Sequence, residues 1–179
     1  VVAKQMGVPK IVPFHRFSTA HIPSKPIPIE IAAARKETYS KDSRKPNKVT
    51  YTNLEGDLLR RDFTVNAMAV DLLPDNFGNL YDPYNGLKDL LSKQLITPMD
   101  PDETFSDDPV RMMRAAYFSS KLNLKIDNDC YESMSRQAGR IKIVSQERIT
   151  TEFTKILSTE KPSVGLKILQ EVGLMKHIF

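Results

Sequence analysis

The sequence predicts an α+β fold, with a mixed α/β first half and an all-helical second half. Two observations carry this. Short, β-branched, proline-bounded stretches occur early, PKIVPF (residues 9–14) and IPIEIAA (27–33), and read as strands. From Asp102 onward four helical patterns follow, at about 107–122, 128–140, 145–158 and 162–176. Composition agrees: 40% hydrophobic and 27% charged residues in 179 are enough to build a core without disulfides.

Taken in order, the opening VVAKQMGVPKIV reads like the end of a helix running into a strand, which suggests a chain that begins inside a larger protein. Pro26 and Pro28 place the 27–33 strand at a sheet edge, because proline cannot donate to a ladder. Residues 35–48, RKETYSKDSRKPNK, are polar and basic without apolar periodicity and are expected to form a mobile surface loop. Thr52 or Asn53 caps the next helix, whose apolar side is Leu54, Leu58 and Leu59. VNAMAVDLL continues as an apolar stretch into a turn-rich segment with NLYD as a possible return strand; residues 86–96 are a short helix passing into extended chain. In the later helices Ile149, Phe153 and Ile156, then Val164, Ile168, Leu169 and Val172, fall at core spacing. Pro162 opens the last of them.

The single cysteine, Cys130, excludes an intramolecular disulfide and fits a reducing cytosol. No run approaches the ~20 apolar residues of a membrane span, and no signal-peptide pattern opens the chain, so a cytoplasmic protein without a membrane partner is expected. A net charge of +4 permits a polyanionic partner such as RNA without requiring one.

Three charged constellations stand out. In SDDPVRMMRAAYF (106–118), read as one helix, Pro109 suits the first turn and Asp108 is the natural N-cap. Asp107, Arg111 and Arg114 then share a face. The plain reading is a capped helix with surface ion pairs. The alternative is that Asp108 and Arg111 present an acceptor and a donor side by side, the complement of a base's Watson–Crick edge. The second constellation is RRDFTVNA (60–67). It is either an arginine-rich helix end or a polyphosphate and ribose site, with Arg60 or Arg61 on phosphate and Asp62 or Asn66 on sugar hydroxyls. The third is Glu30, which alternates with apolar neighbours on its strand. Such a carboxylate faces solvent or, beside other acids, holds Mg²⁺. His15, His21 and His177 show no metal-ligand spacing.

LEGDLLRRDFTVNAMAVD, LYDPYNGLKDL, FSDDPVRMMRAAYF and SQERITTE, in this order, make the chain resemble the class II tRNA nucleotidyltransferases (CCA-adding enzymes) and the related bacterial poly(A) polymerases, from about Val12 onward. The resemblance implies a partial nucleotidyltransferase head with a mixed sheet over residues 1–90, then an all-helical neck and the start of an RNA-binding body over 91–179. It implies that Arg60, Arg61 and Asp62 serve ribose and triphosphate, and that Asp107, Asp108 and Arg111 read the incoming base, with Arg114 as a supporting charge. Glu30 would be one metal-site carboxylate, and the basic stretch near 40–48 a flexible loop of the head. The chemistry implied is Mg²⁺-dependent transfer, in which the 3′-hydroxyl of a tRNA or other RNA attacks the α-phosphate of CTP or ATP and pyrophosphate leaves.

Three departures limit this. The family's Gly-Gly-x-x-Arg-Asp and Asp-x-Asp motifs are not in the chain, so it is expected to be an inactive fragment as given. Asp107 replaces the usual glutamate, and Tyr117 stands where many members have arginine. CCA addition is the first expectation. Poly(A) addition, a non-catalytic RNA- or nucleotide-binding module, and a basic helical interaction domain with chance motifs are the alternatives.

Overall fold

The computed structural model describes residues 11–14, 19–25, 27–40 and 43–179. The expected N-terminal helix end, His15 and Pro26 lie outside these residues.

Strands β1 (Val12–Phe14), β2 (Thr19–Ile22) and β3 (Ile29–Ala32) form an antiparallel sheet in that order. β3 is therefore at an edge, as the prolines before it require. Its four residues are all exposed, and Glu30 lies opposite His21.

The basic stretch is not the loop expected of it. Arg35–Ser40 (β4) and Ser43–Tyr51 (β5) pair antiparallel, with Arg35 opposite Tyr51 and Thr38 opposite Lys48. A ribbon polar on both faces carries no apolar alternation, so hydrophobic patterning cannot reveal it. Its base is pinned by backbone: the Thr52 amide donates to Ala34 O at 3.1 Å, and the Arg35 amide to Asp57 Oδ1 at 3.1 Å.

Helix α1 (Leu54–Leu59) is capped by Asn53, whose side chain accepts from the Gly56 amide. Leu58 is fully buried, whereas Leu54 is exposed, so the expected apolar stripe is narrower than its leucines suggested. The following apolar stretch divides. Phe63 and Ala67 are buried around a 3-10 turn at Thr64–Asn66, while Leu72, Leu73 and Phe77 are exposed between two short paired strands, β6 (Ala69–Val70) and β7 (Leu80–Tyr81). The NLYD return strand is thus present as β7. Helix α2 (Gly86–Leu91) leads into β8 (Gln94–Leu95), which pairs in parallel with β9 (Lys125–Ile126).

The first expected helix of the second half, 107–122, begins only at Val110, and a separate helix that was not expected precedes it. Asp100 caps α3 (Pro101–Asp107) by accepting from the Asp102 and Glu103 amides; α4 (Val110–Leu122) begins after Pro109. Proline disfavours helical geometry at the residue before it, and Asp108 sits extended at φ −142° and ψ 96°. Helix α5 (Asn128–Gln137) runs into a 3-10 stretch to Ile143. Helices α6 (Gln146–Leu157), α7 (Pro162–Glu171) and the short α8 (Met175–Ile178) complete the chain.

One core runs through this half and takes in Phe63 and Leu95 from the first. Ile149, Ile156, Leu169 and Val172 are buried in it as their spacing predicts, while Val164 is exposed. Each such side chain contributes about 1.5–3 kcal/mol. Helix α7 crosses α4 at Gly165, whose amide donates to the Ser120 hydroxyl at 2.7 Å. A Cβ there would lie 3.0 Å from Ala116 O, so the close crossing requires glycine. No helix among the described residues is long and apolar enough to cross a membrane.

Candidate nucleotide site

Two of the sequence constellations, well apart along the chain, meet at one cavity of about 570 Å³. The 60–67 stretch contributes Arg60, Arg61, Asp62 and Asn66; the 106–118 stretch contributes Asp108, Arg111 and Arg114. Asp107, at the end of α3, is not in the lining. Its shared face with Arg111 and Arg114 does not exist, because Pro109 separates the two helices.

The arginines at the end of α1 are organised by Asp57, a residue the motif reading passed over. Its carboxylate takes Arg60 at 2.6 Å and Arg61 at 3.4 Å, besides the Arg35 amide. Arg60 Nε also donates to Arg35 O at 2.8 Å, so the base of the β4–β5 hairpin is tied to the site. Burial acts to raise the Asp57 pKa, but the Arg60 hydrogen bond, the Arg35 amide and the charges of Arg60 and Arg61 outweigh it and hold the carboxyl below its ordinary value. A carboxyl depressed in the folded state stabilises above its unfolded pKa, and that stability is lost as pH falls through the folded one. Asp57→Asn is therefore expected to lower stability at neutral pH and to flatten the acid limb of a stability–pH profile. Denaturant titrations at pH 7 and below pH 4 check this; an unchanged acid limb would count against it.

After Arg61 the chain drops Phe63 into the core, edge-on to Phe118 at 6.0 Å. That anchor fixes Asp62. Asp62 Oδ1 accepts from the Phe63 amide and from Asn66 Nδ2, and Oδ2 accepts from Arg114 at 2.6 Å. Arg114 in turn stacks over the Phe118 ring, 5.2 Å from its centroid. Neither arginine of α4 makes the local ion pair of the plain helix reading. Arg111 donates instead to Arg60 O at 2.6 Å and Thr104 O at 3.3 Å, clasping the end of α1 to α3 and α4.

Asp108 is not the N-cap expected of it: it is the C-cap of α3, and α4 starts from Pro109 without a side-chain cap. Asp108 Oδ1 reaches the Val110 amide at only 3.4 Å, while Arg148 of α6 grips both carboxylate oxygens at 3.1 and 2.6 Å. Arg148 and Glu152, one turn apart on α6, also line the cavity. Both stand in SQERITTE, where their i, i+4 spacing on one helix face was the available signal. Five arginines and three carboxylates line the cavity, a balance suited to a polyphosphate that carries donor and acceptor groups at its other end. Asp107 stands beside it with its pKa raised, because burial and the nearby Glu103 and Asp108 outweigh Arg111 and Arg140.

Glu30 is exposed on β3, away from this cavity's lining. Among the described residues no group of three His, Cys, Asp or Glu side chains is placed to hold a metal ion. These residues alone therefore do not fit Mg²⁺.

The sequence and the fold have counterparts among known proteins. Residues 3–96 match the poly A polymerase head domain, and residues 123–179 match the probable RNA- and SrmB-binding site of polymerase A. The chain belongs to the poly(A) polymerase head-domain family. It is similar to the CCA-adding enzyme of Ligilactobacillus salivarius, 36% identical over 83% of this chain and 36% of that protein. It is 34% identical to the A-adding tRNA nucleotidyltransferase of Aquifex aeolicus, over 99% of this chain and 21% of that one. A solved tRNA nucleotidyltransferase, complexed with a primer tRNA and an incoming ATP analogue, superposes with a TM-score of 0.85 at 29% identity, covering 99% of this chain and 49% of its own. The chain thus spans well under half the length of the curated relatives it matches. Both the family and these relatives are nucleotidyltransferases.

Proposed function

We propose that this cavity binds CTP and ATP and selects them by their base, as the nucleotide-choosing part of a nucleotidyltransferase that adds CCA to the 3′ end of tRNA. The observation that carries the reading is the meeting of Arg60, Arg61 and Asn66 with Asp108 and Arg111 around one volume. Arg60 and Arg61 are the triphosphate contacts, and Asn66, held by Asp62, faces the sugar. Asp108 and Arg111 supply the acceptor and donor that match cytosine and adenine, which carry an amine (N4 or N6) beside an unprotonated ring nitrogen, and mismatch uracil and guanine, which carry a carbonyl beside a ring N–H. Arg114 holds Asp62 in place.

Joining the nucleotide to RNA belongs to the same reading, and so does Mg²⁺. Because no group of three His, Cys, Asp or Glu side chains among the described residues is placed to hold a metal ion, no catalytic step is assigned to this chain by itself. A division near residues 90–91 is part of the proposal. It is supported by the predominance of packed helices from Pro101 onward.

The test has two parts. Calorimetric titration of this chain should show CTP and ATP binding in preference to UTP and GTP. The intact enzyme, given tRNA without its 3′ end and one nucleotide at a time, should add C from CTP and then a single A from ATP. Long runs of A from ATP alone would sink CCA addition in favour of poly(A) addition. Single A addition with no use of CTP would support a second reading, A addition, which the Aquifex relative's coverage of nearly the whole chain favours.

A further inference from the structure

The grip of Arg148 on Asp108 raises a difficulty for base reading. A guanidinium fork at 3.1 and 2.6 Å fills the facing lone pairs of both carboxylate oxygens and neutralises their charge. The Val110 amide adds a weak contact to Oδ1. Asp108 so engaged is a poor acceptor for a base amine.

One turn along α6 lies a second carboxylate in the opposite condition. Glu152 lines the same cavity and is 7% exposed. Its Oε1 accepts from Lys155 at 2.7 Å. Its Oε2 is closed off from solvent and has no hydrogen-bond partner among the described residues. A buried carboxylate oxygen left open is destabilising, because it has given up its water without replacing it. A ligand in the cavity does not reach an oxygen that solvent cannot reach. A long side chain from the same helix face does, and Arg148 is that side chain, at i−4 from Glu152.

We propose that Glu152 is a positioning residue for the base-reading edge. On nucleotide binding its open oxygen takes over the Arg148 guanidinium, and Asp108 is released to accept the exocyclic amine of cytosine or adenine. The inference rests on the base-reading role of Asp108 given above. The exchange keeps Arg148 paired in both states, so its energy difference is small and a single amine–carboxylate contact is enough to tip it. A base without the amine does not tip it, and the latch on Asp108 adds to selection.

Calorimetric titrations of CTP and UTP into this chain test the exchange, using Glu152→Gln, Arg148→Ala and the double variant. Glu152→Gln preserves shape but removes the charge that draws Arg148 away. It is expected to weaken CTP binding about tenfold and to leave UTP within about twofold, the scale of one charged hydrogen bond. Arg148→Ala removes the guanidinium that would be exchanged; whatever its own effect on CTP, in that background Glu152→Gln should have no further effect. A tenfold loss on Glu152→Gln that persists in full in the double variant overturns the exchange. A wild-type chain that prefers CTP but is unmoved by Glu152→Gln refutes the exchange alone. A wild-type chain with no preference for CTP refutes the base-reading role and the exchange with it.

Discussion

Arg111→Ala is expected to reduce the preference for CTP and ATP over UTP and GTP by roughly tenfold to a hundredfold, and to lower stability together with it. The two effects have separate origins. For selection, Arg111 lines the cavity beside Asp108, and its guanidinium has more N–H groups than its two carbonyl partners use. A well-placed pair of hydrogen bonds to a base edge is worth about 1–3 kcal/mol of discrimination. For stability, the bonds to Arg60 O and Thr104 O join the end of α1 to the helical half. A hydrogen bond from a charged donor contributes about 1.5–3 kcal/mol, toward the lower end at a partly exposed site. Arg111→Lys separates the effects: it retains the charge and one carbonyl contact but cannot present a planar fork. The lysine variant should recover part of the stability and little of the selectivity. Titration of the four nucleotides with a urea midpoint for each variant makes the comparison. Selectivity retained in the alanine variant would remove Arg111 from base reading.

The residue types at this cavity were legible in the sequence where they are local and dense, as in Arg60, Arg61, Asp62 and Asn66, or Asp108, Arg111 and Arg114. Their partners were not. Asp62 is held by Arg114, 52 residues on, and Asp108 by Arg148, 40 residues on. Such pairs arise from how α4 and α6 pack on the core, not from spacing along the chain. The break between α3 and α4 left clearer marks. Asp100 followed by Pro101 is a helix-start signal, and Pro109 is a stop for the residue before it. Reading the stretch from Asp107 as one helix overlooked the Asp100–Pro101 start and put Asp107 on one helical face with Arg111 and Arg114, although Asp107 ends α3 and the two arginines belong to α4. The β4–β5 hairpin was hidden for a different reason: its sequence over residues 35–48 is polar and carries no apolar alternation, and backbone pairing leaves no mark in hydrophobicity. Asp57 was hidden by its setting in a helix, where an acid one turn before two arginines looks like an ordinary surface pair.

Gly86→Ala is expected to be the most damaging small substitution in the first half, because it acts on the support beneath the site. Gly86 opens α2, which packs against the turn at Thr64–Asn66. A Cβ at residue 86 would stand 2.1 Å from Thr64 O and 2.8 Å from Thr64 C, inside the backbone itself. The turn has little room to retreat. The Thr64 amide is bonded to Ile96 O, its hydroxyl donates to the buried Asp89 at 2.7 Å, and Phe63 beside it is sealed in the core. On the other side the Gly86 and Leu87 amides are held by the Asp82 carboxylate at 2.7 and 2.9 Å. Overpacking usually costs about 1–3 kcal/mol, and more where backbone must move; about 3 kcal/mol is expected here. For a chain of this size, roughly 2–4 °C per kcal/mol gives a melting temperature lower by about 6–12 °C. The strain falls on the segment that carries Asp62 and Asn66. Nucleotide affinity should therefore drop even at temperatures where the variant is fully folded, and CTP and UTP should lose it alike, since Asp108 and Arg111, the proposed base-reading pair, are untouched. Gly78→Ala is the matched control, with nothing within 4 Å of its Cβ but a φ of +88°. It should lower stability by about 1 kcal/mol through backbone strain alone and leave nucleotide affinity unchanged. Equal melting temperatures for the two variants would mean that the contact between α2 and the Thr64 turn yields easily, and that the site does not depend on it.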